Sequence, residues 1–146
     1  MGTKSSWARR ELNAAPFSDR RHYQRLATTV ETLAKALAAS VPAACGRWDS
    51  AKGTYRFWAN PHVTAEQIRA SHTLATVDKI RDVPRVLIPQ DTTEMDFTAH
   101  PATDDLGHLS RRHRRGFLVH SALVLSEQGV PQGLLCQQVW TRDPAD

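Results

Sequence analysis

The chain has 146 residues, of which 40% are hydrophobic and 23% are charged, with a formal net charge of +4. This size suits one domain or two small ones with a buried core, and the composition argues against extensive disorder. No apolar run approaches the roughly 20 residues of a transmembrane helix, and the N-terminus lacks the apolar stretch of a secretory signal. Cys45 and Cys136 are far apart and have no CxxC partner, which predicts free thiols in a cytoplasmic protein.

A polar arm and one amphipathic helix are predicted over the first part of the chain. Residues 1–16 are mostly polar and end in Ala-Ala-Pro, which favours a loose arm. Apolar residues then recur every three or four positions from Leu26 to Val41, which predicts a helix with one apolar face. Either residue of the pair Ser18-Asp19 can cap this helix, and Pro42 is expected to end it.

Two further helices are predicted before the composition changes. The second has Asp49 as its N-cap and runs to about Ala59. Its core side is expected to carry Ala51, Tyr55 and Trp58. The third begins with the capping-box spacing Thr64-Ala-Glu-Gln67 and continues toward Arg81. Three helices joined by short turns predict a small helical domain over residues 1–82.

The remaining residues, 83–146, favour strands. The three predicted strands are Val86–Thr92, Phe117–Leu125 and Val130–Trp140. The short link Ser126–Gly129 favours an antiparallel hairpin between the last two. Strands two and three are apolar on both faces, which is typical of a sheet that is covered on both sides. Because no further helix follows, the predicted class is α+β, with a three-helix domain followed by the first three antiparallel strands of an incomplete domain.

The stretch IPQDTTEMDF places Asp91 directly after an apolar strand. A carboxylate in such a position is costly unless something binds it, and it is suited to hold Mg²⁺ or Mn²⁺. The alternative is a turn or capping aspartate that bonds to Thr92 or Thr93. Glu94 and Asp96 are expected to point to the other face, in solvent, where the strand ends. One carboxylate cannot clamp two metal ions for phosphoryl chemistry, so the other ligands would have to come from elsewhere.

Basic side chains are concentrated in the first half of the chain. Residues 1–82 hold 13 Lys/Arg against 7 Asp/Glu, whereas residues 83–146 hold 6 against 8. Arg21 and Arg25 are four residues apart and share a helix face beside the apolar stripe. The candidate DNA contacts are Arg21, Arg25, Lys35, Lys52 and Arg56. Together they predict a DNA-facing surface, although each of them alone is equally consistent with a solvated surface charge.

Common catalytic motifs do not account for the remaining polar residues. There is no GxxxxGK[ST], GxGxxG or GxSxG sequence, and the seven histidines include no HxxxH pair. His120 and Ser121 are neighbours on a predicted strand and therefore point to opposite faces, which excludes a dyad. The segment Ser110–Arg115 contains four arginines and joins the first strand to the second. It is either a mobile basic loop or a backbone contact near Asp91.

Five segments in a fixed order carry a resemblance to a known family. They are DRR…RL, AKGTYRFWANPHVTAEQI, QDTTEMDF, RRGFLVHSALVL and QGLLCQQVWTR. In this order the chain resembles the N-terminal part of bacterial cut-and-paste transposases of the insertion-sequence-four family, which includes the transposase of transposon five. The similarity covers roughly residues 17–146.

The resemblance implies a helical domain that grips transposon-end DNA, followed by a ribonuclease H-like domain with nuclease and strand-transfer activity. The DDE triad of that domain binds two Mg²⁺ or Mn²⁺ ions. Asp91 matches the first acid of the triad, which is a metal ligand, and His120 matches a histidine near the active site. The positions that match DNA contacts of the family are Arg21, Arg25, Lys35 and Arg56. His22 replaces a position that is frequently basic.

The other triad acids and the C-terminal dimerisation region of the family lie beyond residue 146. The resemblance therefore implies a truncated, catalytically inactive transposase that binds double-stranded transposon ends in the bacterial nucleoid and holds no metal stably. One alternative is a small regulatory protein that occupies transposon ends without cutting them. The other is an independent metal-dependent nuclease. Its further acids would have to come from Glu94, Asp96, Asp104 and Asp105.

Overall fold

The computed structural model describes residues 6–13, 16–111 and 113–142. Within these ranges the protein has five helices followed by a four-stranded antiparallel sheet, which confirms the mixed helix-and-sheet class. The helices α1–α5 are Trp7–Glu11, Arg20–Ala34, Val41–Cys45, Trp48–Trp58 and Ala65–Ile80, and the strands β1–β4 are Gln90–Asp96, Gly107–His108, Arg115–Leu125 and Pro131–Trp140. The chain divides into two compact units, Met1–Asp78 and Lys79–Asp146. No helix in the described part of the chain has the length and apolar character needed to cross a bilayer.

Helix α1 shows that the prediction of a loose N-terminal arm is wrong for this segment. The Ser6 side chain caps the helix by accepting a hydrogen bond from the Arg9 N–H at 3.3 Å. Ala8 and Leu12 are four residues apart and lie on one helix face, and both are buried. They join a core cluster with Leu26, Ala27 and Phe57. The hydroxyl of Tyr23 donates to the Arg9 carbonyl at 2.7 Å and further ties α1 to α2.

Helix α2 begins as predicted and ends early. Asp19 is its N-cap, and its side chain accepts a hydrogen bond from the Arg21 N–H at 2.8 Å. The helix stops at Ala34, so the prediction that it continues to Val41 is wrong. Val41 instead begins the short helix α3, with Pro42 in its first turn. Proline is tolerated there because the first turn of a helix needs no N–H donor at that position.

Helix α4 buries a different face from the predicted one. Ala51, Thr54 and Phe57 are buried. Tyr55 and Trp58 are 45% and 44% exposed, so their predicted core positions are wrong. Three aromatic residues within four positions cannot all face the same side of a helix, and here Phe57 takes the core position.

Helix α5 begins with the predicted capping box. The Thr64 hydroxyl accepts from the Gln67 N–H at 3.2 Å, and the Gln67 side chain accepts from the Thr64 N–H at 2.8 Å.

The sheet is organised around β3, which pairs with every other strand. Strand β1 lies along one edge of β3, and β4 lies along the other as the second arm of a hairpin. This confirms the predicted hairpin, whose turn includes Gly129 at a φ of 79°. The two-residue strand β2 pairs with the start of β3 and is too short to give a sequence pattern.

The first predicted strand is displaced along the chain. Strand β1 begins at Gln90 rather than at Val86, and it is exposed over its whole length. Of the preceding apolar residues, Leu87 forms an isolated bridge with Leu125. Asp91 therefore lies in an exposed edge strand, and the prediction that it terminates a buried strand is wrong.

Candidate nucleic-acid interface

The helical unit contains an open cleft of about 480 Å³ between α2 and α4. Its cationic lining residues are Arg21, Arg25, Lys52 and Arg56. Each helix contributes two cations that are one turn apart, so both pairs project from the faces that line the cleft. Four of the five predicted DNA contacts are thus brought together in one place.

Lys35 is the predicted contact that the cleft does not include. It is the C-cap residue of α2 and is exposed. It lies ten residues after Arg25, a distance of about 15 Å along a helix axis. Any contact that Lys35 makes with DNA would therefore be separate from those of the cleft.

Gly53 allows the Arg25 guanidinium to lie against the wall formed by α4. A Cβ atom placed on Gly53 would be 3.1 Å from Nη1 of Arg25 and 3.3 Å from its Cζ. These distances are below ordinary van der Waals contact, so a larger residue would push the guanidinium away. The absence of a side chain at Gly53 lets two helices and a long cation share this narrow space.

Two of the charges at the cleft are already compensated. Arg21 forms an ion pair with Asp19 at 2.8 Å, and hydrogen bonds from the Arg21 side chain lower the pKa of Asp19 to about 2. Asp49 is bound by Arg47 through hydrogen bonds of 3.0 and 3.1 Å, and those bonds lower the pKa of Asp49.

The other three cations of the cleft have no such compensation. Within the described ranges, Arg25, Lys52 and Arg56 form no ion pair with an acidic side chain. All three are exposed. The cleft therefore carries a net positive charge that is available to an anionic partner.

His22 forms part of the cleft wall. The Asn60 carbonyl oxygen accepts from the His62 N–H at 2.9 Å, which orients the Asn60 amide nitrogen to donate to Nε2 of His22 at 3.0 Å. Nδ1 of the same ring is buried and has no partner among the described residues. The ring contacts Phe17 and Phe57 edge-on or tilted, with centroids 6.0 and 6.5 Å away.

Asp91 and His120 lie on opposite faces of the sheet. Asp91 is paired in register with Ser121, and His120 is paired with Thr92. Side chains of directly paired residues share a face, and the faces alternate along each strand. His120 accordingly hydrogen-bonds to the Thr92 hydroxyl at 2.8 Å and to the Gln90 side chain at 3.1 Å. The structure does not bring His120 to the carboxylate of Asp91.

The surroundings of Asp91 do not make a complete divalent-metal site. Its carboxylate accepts a long hydrogen bond of 3.4 Å from the Thr93 hydroxyl. Glu94 and Asp96 point to the other face of β1, as predicted, and are engaged by Ser110 and Arg114. In the part of the chain that the structure describes, no three His, Cys, Asp or Glu side chains are grouped so that they could hold a metal ion. These residues therefore do not fit the two-ion site that the family resemblance implies.

A helical unit with a cationic cleft between two helices has the charge and shape of a small DNA-binding domain. Residues 4–63 match the family described as transposase DNA-binding. The match includes α1–α4 and every cation of the cleft, and it ends before α5. It supports a transposase-related DNA-binding protein with DNA as its partner.

Proposed function

We propose that the α2–α4 cleft binds the phosphate backbone of duplex DNA at transposon ends, and that the chain is related to insertion-sequence-four transposases. The observation that carries this proposal is the convergence of Arg21, Arg25, Lys52 and Arg56 on one cleft. In a bacterial cell such a protein would be associated with the nucleoid.

The distribution of charge favours a polymer over a small anion. The four cations are spread along one turn of each helix, and the cleft between them is open. Duplex DNA presents a phosphate about every 3.4 Å along each strand, so a row of cations can contact several phosphates at once. Phosphate contacts fix the position and orientation of a protein on DNA, whereas sequence is read at the base edges. The cleft cations therefore supply affinity, and preference for transposon ends requires additional base or shape contacts.

A salt titration of DNA binding tests the role of the cleft. The full chain is mixed with a fluorescent end-bearing duplex, and anisotropy is measured over a series of NaCl concentrations. The negative log–log slope of affinity against salt should become less steep by about 0.9 for each phosphate that Arg25→Ala or Arg56→Ala no longer neutralises. Arg69→Ala is the matched control, because Arg69 lies on α5 outside the cleft and is paired with Glu66 at 2.7 Å.

Two outcomes would contradict the cleft proposal. One is a wild-type chain with no affinity for duplex DNA or with an affinity that salt does not change. The other is an equal effect of the cleft variants and of Arg69→Ala on the slope. Competition with a scrambled duplex of the same length then tests the preference for transposon ends. If the scrambled duplex competes as well as the transposon-end duplex, the protein binds DNA in general and the proposed preference for transposon ends is wrong.

We further propose that β1, β3 and β4 correspond to the first strands of a ribonuclease H-like sheet, with Asp91 as the first acid. Their up-and-down antiparallel order supports this correspondence. Because Asp91 belongs to no group of three metal-ligating side chains among the described residues, the chain alone is proposed to bind DNA without cutting it. The test is incubation with a supercoiled end-bearing plasmid and Mn²⁺. If the wild-type chain nicks the plasmid and Asp91→Ala abolishes the nicking, the proposal that the chain binds DNA without cutting it is wrong. The chain would then be a nuclease.

A further inference from the structure

Two exposed arginines, Arg111 and Arg115, flank the turn that leads from β2 into β3. We propose that Arg111 of this connection and Arg115, the first residue of β3, bind phosphates of duplex DNA independently of the α2–α4 cleft. The choice of DNA as the partner rests on the proposed function, whereas the site belongs to the other compact unit of the chain.

Hydrogen bonds join the described residues of this connection. The Leu109 N–H donates to the Arg114 carbonyl at 3.1 Å, and the Arg114 N–H donates to the Arg111 carbonyl at 3.1 Å. Ser110 is attached to β1, since its N–H donates to Glu94 Oε1 at 2.8 Å and its hydroxyl bonds to the same oxygen.

The acidic residues nearest to the loop are already occupied. Glu94 is bound by Ser110 and lies 3.7 Å from the guanidinium of Arg142, and Asp96 pairs with Arg114 at 3.0 Å. The hydrogen bonds from Ser110 lower the pKa of Glu94, and those from Thr98 lower the pKa of Asp96. Both acids are therefore ionised and fully engaged at neutral pH.

Arg111 and Arg115 are two cations that no acid compensates in the described part of this segment. Neither forms an ion pair with an acidic side chain in the described ranges, and both are exposed. Arg115 is paired in register with His108 of β2, so the two basic side chains share a face.

The positive charge is local to this loop. Residues 79–146 contain eight Lys/Arg and nine Asp/Glu, and four of those eight lie between positions 111 and 115. The unit as a whole therefore has no general attraction for polyanions.

The test uses the full chain and the same anisotropy titration. The double variant Arg111→Ala/Arg115→Ala should make the negative log–log salt slope less steep by about 1.8, that is, about 0.9 for each phosphate contact. Arg85→Ala is the matched control, because Arg85 is a cation of the same unit that is paired with Glu127 at 3.3 Å. It should leave the slope unchanged. The charge-retaining variant Arg111→Lys/Arg115→Lys should keep the wild-type slope.

The outcomes separate this proposal from the cleft proposal. If the double alanine variant has the wild-type slope and Arg56→Ala still makes the slope less steep, only the loop contact is overturned. A wild-type chain without affinity for DNA overturns both proposals. Thermal unfolding of the variants is measured in parallel, and Arg111→Gln/Arg115→Gln replaces the alanine variant if that variant fails to fold. A folded double glutamine variant with the wild-type slope also overturns the loop contact.

Discussion

Replacing Gly53 with alanine should stabilise the helical unit and weaken its binding to DNA. Gly53 lies in the middle of α4, Trp48–Trp58. A glycine at an interior helix position costs about 1 kcal/mol relative to alanine, so Gly53→Ala gains up to that amount of unfolding free energy. The new Cβ would be 3.1 Å from Nη1 of Arg25. Arg25 is exposed, and the end of its flexible side chain can shift at little cost.

The same shift should reduce affinity because it moves the Arg25 guanidinium away from its place in the cleft. One charge-assisted hydrogen bond is worth about 1.5 kcal/mol, so its complete loss, an increase in Kd of about tenfold, is the upper limit for this shift. The increase should not exceed that of Arg25→Ala. In the Arg25→Ala background, Gly53→Ala should have no further effect on Kd, since the side chain that it displaces is gone.

Denaturant unfolding and fluorescence anisotropy of the four chains in this cycle provide the measurements. The mechanism is refuted if Gly53→Ala leaves the Kd of the wild type unchanged. It is also refuted if Gly53→Ala weakens binding equally in the presence and absence of the Arg25 side chain. A fall in unfolding free energy would show that Arg25 cannot yield and that the contact is part of the core packing.

Two further predictions concern the stability of the helical unit. Leu12→Ala should lower the unfolding free energy by about 2–5 kcal/mol, because Leu12 is buried in the core. Trp7→Ala in the same helix should cost much less, since Trp7 is 50% exposed, and equal losses in denaturant titrations would contradict the position of α1 in the core. Asp19 has its pKa lowered from 3.8 to about 2, mainly by Arg21, so its ionised form stabilises the fold above pH 3.8 and this contribution is lost as the pH falls through 2. Asp19→Asn retains a helix cap, and its melting temperature should depend less on pH over that range than the melting temperature of the wild type. An equal pH dependence of the two melting temperatures would contradict this role of Asp19.

Local features of the chain were predictable from the sequence because they depend on residues only a few positions apart. The four-residue spacing of Arg21 and Arg25, and of Lys52 and Arg56, places each pair on one face of its helix whatever the helix packs against. The same holds for the capping box that begins at Thr64. The resemblance to transposases rests on such local segments as well, and the family match over residues 4–63 supports it for the helical unit.

Tertiary packing alone decided which of these faces meet and which residues they bury. Helix α1 became part of the core because Ala8 and Leu12 found a partner surface on α2 and α4, which a short polar-looking segment does not reveal. Phe57 faces the core and Trp58 faces out, although either is apolar enough to be buried. The cleft formed because two cationic faces lie opposite each other, and Lys35 was left outside it by its position at the helix end. Burial and juxtaposition depend on what lies across an interface, and that information is spread over residues distant in the chain.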